Sequence, residues 1–225
     1  MWSLVKRIAK RVLPEQTLRG MRSVLHRQWY RFHRPHMLQL WIDGRRLCLS
    51  DTADITDWER LKLGRDIFIW HYSILDSGNG IELGDGCQIG TRVGVFTHSA
   101  HLSLRLYRDR YFQTDCHHHV GRVMGSVVLG EYTFVGPNSI IMPDTRIGRG
   151  SLVTAFSLVH GDFPEFSVIS GNPAKVVGDT RRLDWIYLKE HPELRESYQR
   201  WTGQDLNACW PAMRGAPLRD GKHAA

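Results

Sequence analysis

The chain has 225 residues, 42% of them hydrophobic, and a formal net charge of +7. That length buries one sizeable core and favours a single domain with appendages. The four cysteines (Cys48, Cys87, Cys116, Cys209) are scattered without a C-x-x-C spacing, and no uninterrupted apolar run approaches the ~18–20 residues of a membrane-spanning helix. Met1–Pro14 interleaves basic and apolar residues, unlike a signal peptide, so a cytoplasmic protein is expected.

The charge is uneven. Residues 1–36 hold nine Lys/Arg against Glu15 alone, a net +8, which leaves the remainder near −1. A nucleic-acid groove through the main domain is therefore not expected.

In chain order, residues 1–36 read as a basic helical extension. Within it WSLVKRIAKRVL (2–13) places Trp2, Val5, Ile8, Ala9 and Val12 on one helical face and Lys6, Arg7, Lys10 and Arg11 opposite. Such a helix either binds an anionic membrane surface or packs on the domain. Residues 37–60 read as a hairpin and lead-in, with MLQLWIDGRRLCL turning at Asp43-Gly44.

From Leu63 the chain repeats in sixes: LGRDIF, IWHYSI, LDSGNG, then after a two-residue slip LGDGCQ, IGTRVG and VFTHSA. It resumes as LGEYTF, VGPNSI, IMPDTR, IGRGSL, VTAFSL and VHGDFP. Each hexad opens with Leu, Ile or Val, and its fifth residue is usually small or β-branched. A period of six suits a short strand plus a turn, and three such units close a triangular coil of about 18 residues. Gly78-Asn79, Asp85-Gly86, Pro137-Asn138, Pro143-Asp144 and Arg149-Gly150 supply its corners. A β-sandwich would instead place turns every 8–12 residues.

This pattern over residues 61–178, closed by SGNPAKVVG (170–178), resembles the hexapeptide-repeat acyltransferases, in particular the maltose, galactoside and polysaccharide O-acetyltransferase branch. The resemblance implies an all-β fold, a left-handed parallel β-helix with a C-terminal helix along it, to which the sequence adds the N-terminal helical and hairpin extension. It also implies a homotrimer with active sites between subunits, acetyl-CoA as donor and no resident metal.

The hexads break off between 100 and 126, in HLSLRLYRDRYFQTDCHHHVGRVMGS after the string Thr97-His98-Ser99. In the resembled family a loop leaves the helix here, preceded by the catalytic histidine, which His98 matches. A sugar hydroxyl is a poor nucleophile at neutral pH, and a neutral imidazole can take its proton during attack on a thioester. His98 is accordingly the expected general base, in direct transfer without an acyl-enzyme. His101 is its neighbour and rival, also a candidate for acceptor binding. Asp76 would orient the imidazole or hold the acceptor. His117, His118 and His119 invite a metal reading, as in the γ-class carbonic anhydrases that share the β-helix, but successive residues rarely face one ion.

Carried over by position, the donor contacts are Phe134, Gly136, Pro137, Ala155, His160 and Lys175. Two departures stand out. Gly161 occupies the place of a phosphate-facing lysine, for which Lys175, Arg181 or Arg182 would substitute, and Pro137 has no backbone N–H to offer a thioester oxygen. Residues 179–225 read as a helix interrupted near Pro192, then a loose tail. The expected activity is acetyl-CoA-dependent O-acetylation of a carbohydrate hydroxyl, on a cell-surface polysaccharide or its precursor. The alternatives are N-acylation of an amino sugar nucleotide and a non-catalytic β-helix scaffold.

Overall fold

The residues that open the hexads line the inside of a prism. In the computed structural model, which describes residues 35–115 and 118–204, the openers from Ile69 to Val159 are each at most 2% exposed. The fifth-position residues Ser73, Cys87, Val93, Thr133, Ser139, Thr145, Ser151 and Ser157 are buried beside them. A strand turns residues i and i+2 to the same side, so each short strand sends one small and one large side chain inward. The small hydroxyls then stitch coil to coil: Ser73 Oγ donates to the Gly90 carbonyl at 2.7 Å and Ser139 Oγ to that of Thr154 at 2.9 Å.

Five coils result. The first is β2 (Arg45–Ser50), β3 (Asp54–Thr56) and β4 (Leu61–Leu63). The second is β5 (Ile67–Ile69), β6 (Ile74–Asp76) and β7 (Ile81–Leu83). The third runs from β8 (Gln88–Ile89) to β9 (Gly94–Phe96), makes an excursion through β10 (His98–Ser99), α1 (His101–Tyr107) and β11 (Val123–Met124), and closes with β12 (Val127–Leu129). The fourth is β13 (Phe134–Val135), β14 (Ile140–Ile141) and β15 (Thr145–Ile147); the fifth is β16 (Leu152–Val153), β17 (Leu158–Val159) and β18 (Asp162–Phe163). Every coil contributes one strand to each of three parallel faces. Antiparallel strands finish the first face at both ends, β1 (Met37–Ile42) on β2 and β20 (Ala174–Asp179) on β19 (Ser167–Gly171). The chain ends its described part in α2 (Thr180–Glu190) and α3 (Arg195–Thr202), interrupted by a turn at Pro192–Leu194.

Three expectations need correction. The first coil begins at β2, not near residue 61, as Leu47↔Ile67 and Ile55↔Leu75 pair in parallel. The coils are also not uniformly eighteen residues long. The stacked column Leu49, Ile69, Ile89, Val135, Val153, Ile169 steps by twenty, twenty, forty-six, eighteen and sixteen residues. The variation lies at one place, the corner between the second and third faces. Openers there are eight residues apart in the first two coils (Ile55 to Leu63, Leu75 to Leu83), six in the fourth (Ile141 to Ile147) and four in the fifth (Val159 to Phe163). Thirdly, the coil does not run to residue 178: GNPAK is the turn of the antiparallel β19–β20 hairpin, with the backbone of Gly171 left-handed at φ 108°.

The basic extension, Cys116, His117 and the tail from residue 205, including Cys209, lie outside the described residues. No described helix is long and apolar enough to cross a membrane.

Candidate active site

The widened corners of the first three coils meet around one histidine. β9 ends at Phe96, which stacks on Asp76 of the coil before, and Asp76 stacks in turn on Thr56. One residue further, Thr97 is fully buried and holds the corner together. Its hydroxyl donates to the Asp76 carbonyl at 2.7 Å and accepts from the Asn79 N–H at 2.9 Å, while its carbonyl accepts from Asn79 Nδ2 and the Gly125 N–H. His98 is thereby delivered beside Asp76, with its Nδ1 2.6 Å from the carboxylate Oδ2.

A carboxylate only accepts, so Nδ1 carries the proton and the lone pair is left on Nε2. The Asp76 side chain is 16% exposed and that of His98 40% exposed, a half-buried anchor under a reachable ring. The cavity in front of them has a volume of about 300 Å³ and is lined by Asp57, Arg60, Asn79, Arg122 and Met124 as well. Arg60 is fixed by a hydrogen bond from its Nη1 to the Gly78 carbonyl.

The described residues of the excursion are held by their own side chains. β10 pairs antiparallel with β11, His98 opposite Met124, so the loop leaves and re-enters as a ribbon. Gly125 lies so close to Asp144 that an added Cβ would sit 2.6 Å from its backbone nitrogen, which requires glycine at the return. His119 is buried, stacked on Tyr107 at 4.0 Å and bonded through Nε2 to Thr114 Oγ1 at 2.7 Å. His118 pairs with Asp115 at 2.7 Å. Among the described residues no group of His, Cys, Asp or Glu is arranged to hold a metal ion. His101 opens α1, bonds Ser99 Oγ through Nδ1 at 2.8 Å, and is not part of the cavity wall.

The donor residues fall on two different corners. Gly136, Pro137 and Ala155 lie between the first and second faces, with Phe134 pointing outward beside them, whereas His98 and His160 lie between the second and third. Lys175 is exposed on β20, opposite Ser170. One chain does not bring these residues together. Gly136 has a structural duty of its own: an added Cβ would meet the Ala155 nitrogen at 2.5 Å. Gly161 is explained by the shortest corner, whose backbone is left-handed there at φ 102°, a conformation that a lysine would strain. Arg181 is occupied by Asp179, at 2.5 Å. Cys87 is no rival nucleophile, since burial pushes its thiol up to about 11 and it donates to the Gly130 carbonyl.

Asp57, Arg60, Asn79, Arg122 and Met124 line the candidate site, and the linear reading passed over them. They come from corners of different coils, and only the twenty-residue step that superposes Thr56, Asp76 and Phe96 would have gathered them.

Residues 126–161 match the family model described as bacterial transferase hexapeptide, six repeats. The chain is 28% identical over 170 residues to serine acetyltransferase 4 of Arabidopsis thaliana, covering 72% of this chain and 42% of the relative. It is 44% identical over 52 residues to a putative lipopolysaccharide biosynthesis O-acetyl transferase, WbbJ, of Escherichia coli, covering 23% and 26%. It spans between about a third and a half of the first curated relatives' length. A hexapeptide-repeat acetyltransferase of Vibrio cholerae, solved with acetyl coenzyme A, superposes with a TM-score of 0.52 at 22% identity, over 60% of this chain and 68% of that one. Residues 126–161 carry the hexapeptide repeat, and the chain has the left-handed β-helix fold of the hexapeptide-repeat acetyltransferases.

Proposed function

We propose that the protein is an acetyl-CoA-dependent acetyltransferase whose acceptor is a carbohydrate hydroxyl, with His98 as general base and Asp76 as its positioning residue. The observation that carries this reading is the 2.6 Å pairing of His98 Nδ1 with Asp76 at the mouth of a polar cavity. His98 Nε2 takes the proton of the acceptor hydroxyl as its oxygen attacks the thioester carbonyl. The tetrahedral adduct then expels the CoA sulfur, which recovers that proton from the imidazolium, while Asp76 stabilises the charged ring in between. The acetyltransferase relatives support the donor, and the lipopolysaccharide-associated one supports a glycan acceptor. Base catalysis of this kind contributes roughly 10²–10⁴-fold.

The split of donor residues over two corners supports a homotrimer, in which one copy sets its first-to-second corner against the next copy's second-to-third corner. Outward residues agree with that packing. Phe68, Phe134, Leu152 and Val168 line the first face and Ile74, Ile140 and Leu158 the second, whereas the third presents Lys62, Glu82, Arg146 and Asp162. Trp70, Tyr72 and Phe156 stand exposed along the first-to-second corner. The enzyme works in the cytoplasm, with the basic segment 1–36 drawing it to the inner membrane surface.

The test is titration of acetyl-CoA into the wild type, followed by CoA release with neutral, acidic and amino sugars, for wild type and His98→Ala. Donor binding with turnover that His98→Ala abolishes and His101→Ala spares supports the reading, and preference for an amino sugar replaces O- by N-acylation. Absence of donor binding at millimolar concentration leaves a scaffold.

A further inference from the structure

Acyl transfer leaves the first end of the coil unexplained. β1 pairs with β2 alone among the described strands, and its sequence MLQLWI carries no charge. Leu38, Leu40, Trp41 and Ile42 are 45%, 37%, 68% and 42% exposed. Natural sheets blunt such edges with charges, prolines or a covering element. Leu38, Leu40 and Ile42 project to one side of the strand and Trp41 to the other, by strand alternation. Leu38 and Leu40 stand opposite the buried Leu49 and Leu47, so their side carries the apolar column past the first coil, and Trp41 stands on the other side.

Charge selects the occupant. Residues 1–36, which run directly into β1, carry +8 in the sequence, while the rest of the chain is near −1. A positively charged stretch followed directly in sequence by exposed Leu, Ile and Trp is the composition of an element that lies in an anionic headgroup layer.

We propose that the β1–β2 hairpin is a lipid-docking element that seats Leu38, Leu40, Trp41 and Ile42 at the headgroup–acyl boundary of an anionic membrane. Water still reaches the open backbone edge of β1 at that depth, as it must, because unpaired N–H and C=O groups are not tolerated deeper. The placement also defines the acceptor. β2 belongs to the coil whose corner supplies Asp57 and Arg60 to the His98 cavity, and coils stack about 4.8 Å apart. The catalytic corner is thus within about three coil spacings of the docked end. The acceptor class is a glycan carried on a lipid anchor, which rests on the acyl-transfer reading above, whereas the docking itself does not.

The whole 225-residue chain is sedimented with phosphatidylcholine vesicles and with vesicles in which roughly a third of the lipid is phosphatidylglycerol, which supplies the negative surface potential, as wild type, Leu40→Ser/Trp41→Ser and Lys6→Gln/Arg7→Gln/Lys10→Gln/Arg11→Gln. The expected result is anionic-selective binding that the hairpin variant weakens about tenfold or more. Brominated lipids should quench a tryptophan signal that is missing in Trp41→Phe. His98-dependent CoA release from soluble sugars should be unchanged in the hairpin variant, which also certifies its folding. Binding of the hairpin variant equal to wild type, with only the charge variant impaired, overturns the proposal. So does failure of the wild type to bind, or shielding of Trp41 by self-association without lipid. Vesicle binding without CoA release from any acceptor, lipid-linked ones included, would leave the docking and remove the acyl-transfer reading with its acceptor class.

Discussion

The corner between the second and third faces is built in two styles. In the first three coils it is widened by two or more residues and carries Asp57, Asp76 and His98; in the last two it is tight and carries Pro143, Asp144 and Gly161. Inside both stretches the column is the same, Leu75, Leu83 and Val95 in one, Ile141, Ile147 and Val153 in the other, all at most 2% exposed. The coil therefore separates its tasks. The inward residues supply the stability, and a corner can lengthen outward, as the one proposed to hold the chemistry does, without disturbing them.

The largest test of that separation is at the widened corner. His98→Ala should lower kcat by about 10²–10⁴-fold, and Asp76→Asn by a smaller factor, because an amide oxygen still accepts from Nδ1 but does not balance the imidazolium. Thermal midpoints of both variants should stay near wild type. In the tight stretch the outcome should invert: Ile141→Ala costs about 2–5 kcal/mol of stability while kcat stays within twofold or so of wild type. Urea unfolding and CoA release measure the two quantities on the same samples.

Thr97→Val probes the seam between the two tasks. It leaves the Asn79 N–H and the Asp76 carbonyl without their buried partner, at about 1–3 kcal/mol, and it loosens the corner that presents Asp76. Stability and kcat should fall together, and a fall in stability alone would detach Thr97 from the site. The smallest effect lies away from the corner. Burial raises the Asp184 carboxyl, which accepts from Tyr198 at 2.7 Å between α2 and α3. The folded state then holds a proton that the unfolded state releases, so stability is lost as pH climbs from the ordinary carboxylate range through the raised value. Asp184→Asn should give a slightly higher melting temperature at pH 7 and no gain at pH 3.

The regular stretch was open to reading because burial repeats every six residues and aliphatic openers are the cheapest way to satisfy it. The slip at Ile81-Glu82 marked a widened corner, although its meaning needed the stacking of Asp76 on Phe96. The first coil stayed hidden because its own corner, Asp57–Arg60, breaks the rhythm before the rhythm is established. Several corners were unmarked too: Tyr72, Arg92, Tyr132, Phe156 and Phe166 adopt left-handed backbones that glycine or asparagine would ordinarily announce. His98 was singled out by the break and the string Thr97-His98-Ser99, and Asp76 by its place in LDSGNG. The cavity wall was not, since Arg60 and Arg122 are sixty-two positions apart and meet only through coil geometry.

The antiparallel strands β1 and β20 close the same face at opposite ends of the coil. A repeat bounded in this way cannot lengthen by tandem addition at either terminus. Growth by duplication has to be internal and in whole turns, because one extra hexad would rotate every later strand onto the next face. The distance from the His98 corner to the second end is therefore a quantity that descent can change only in steps of one coil.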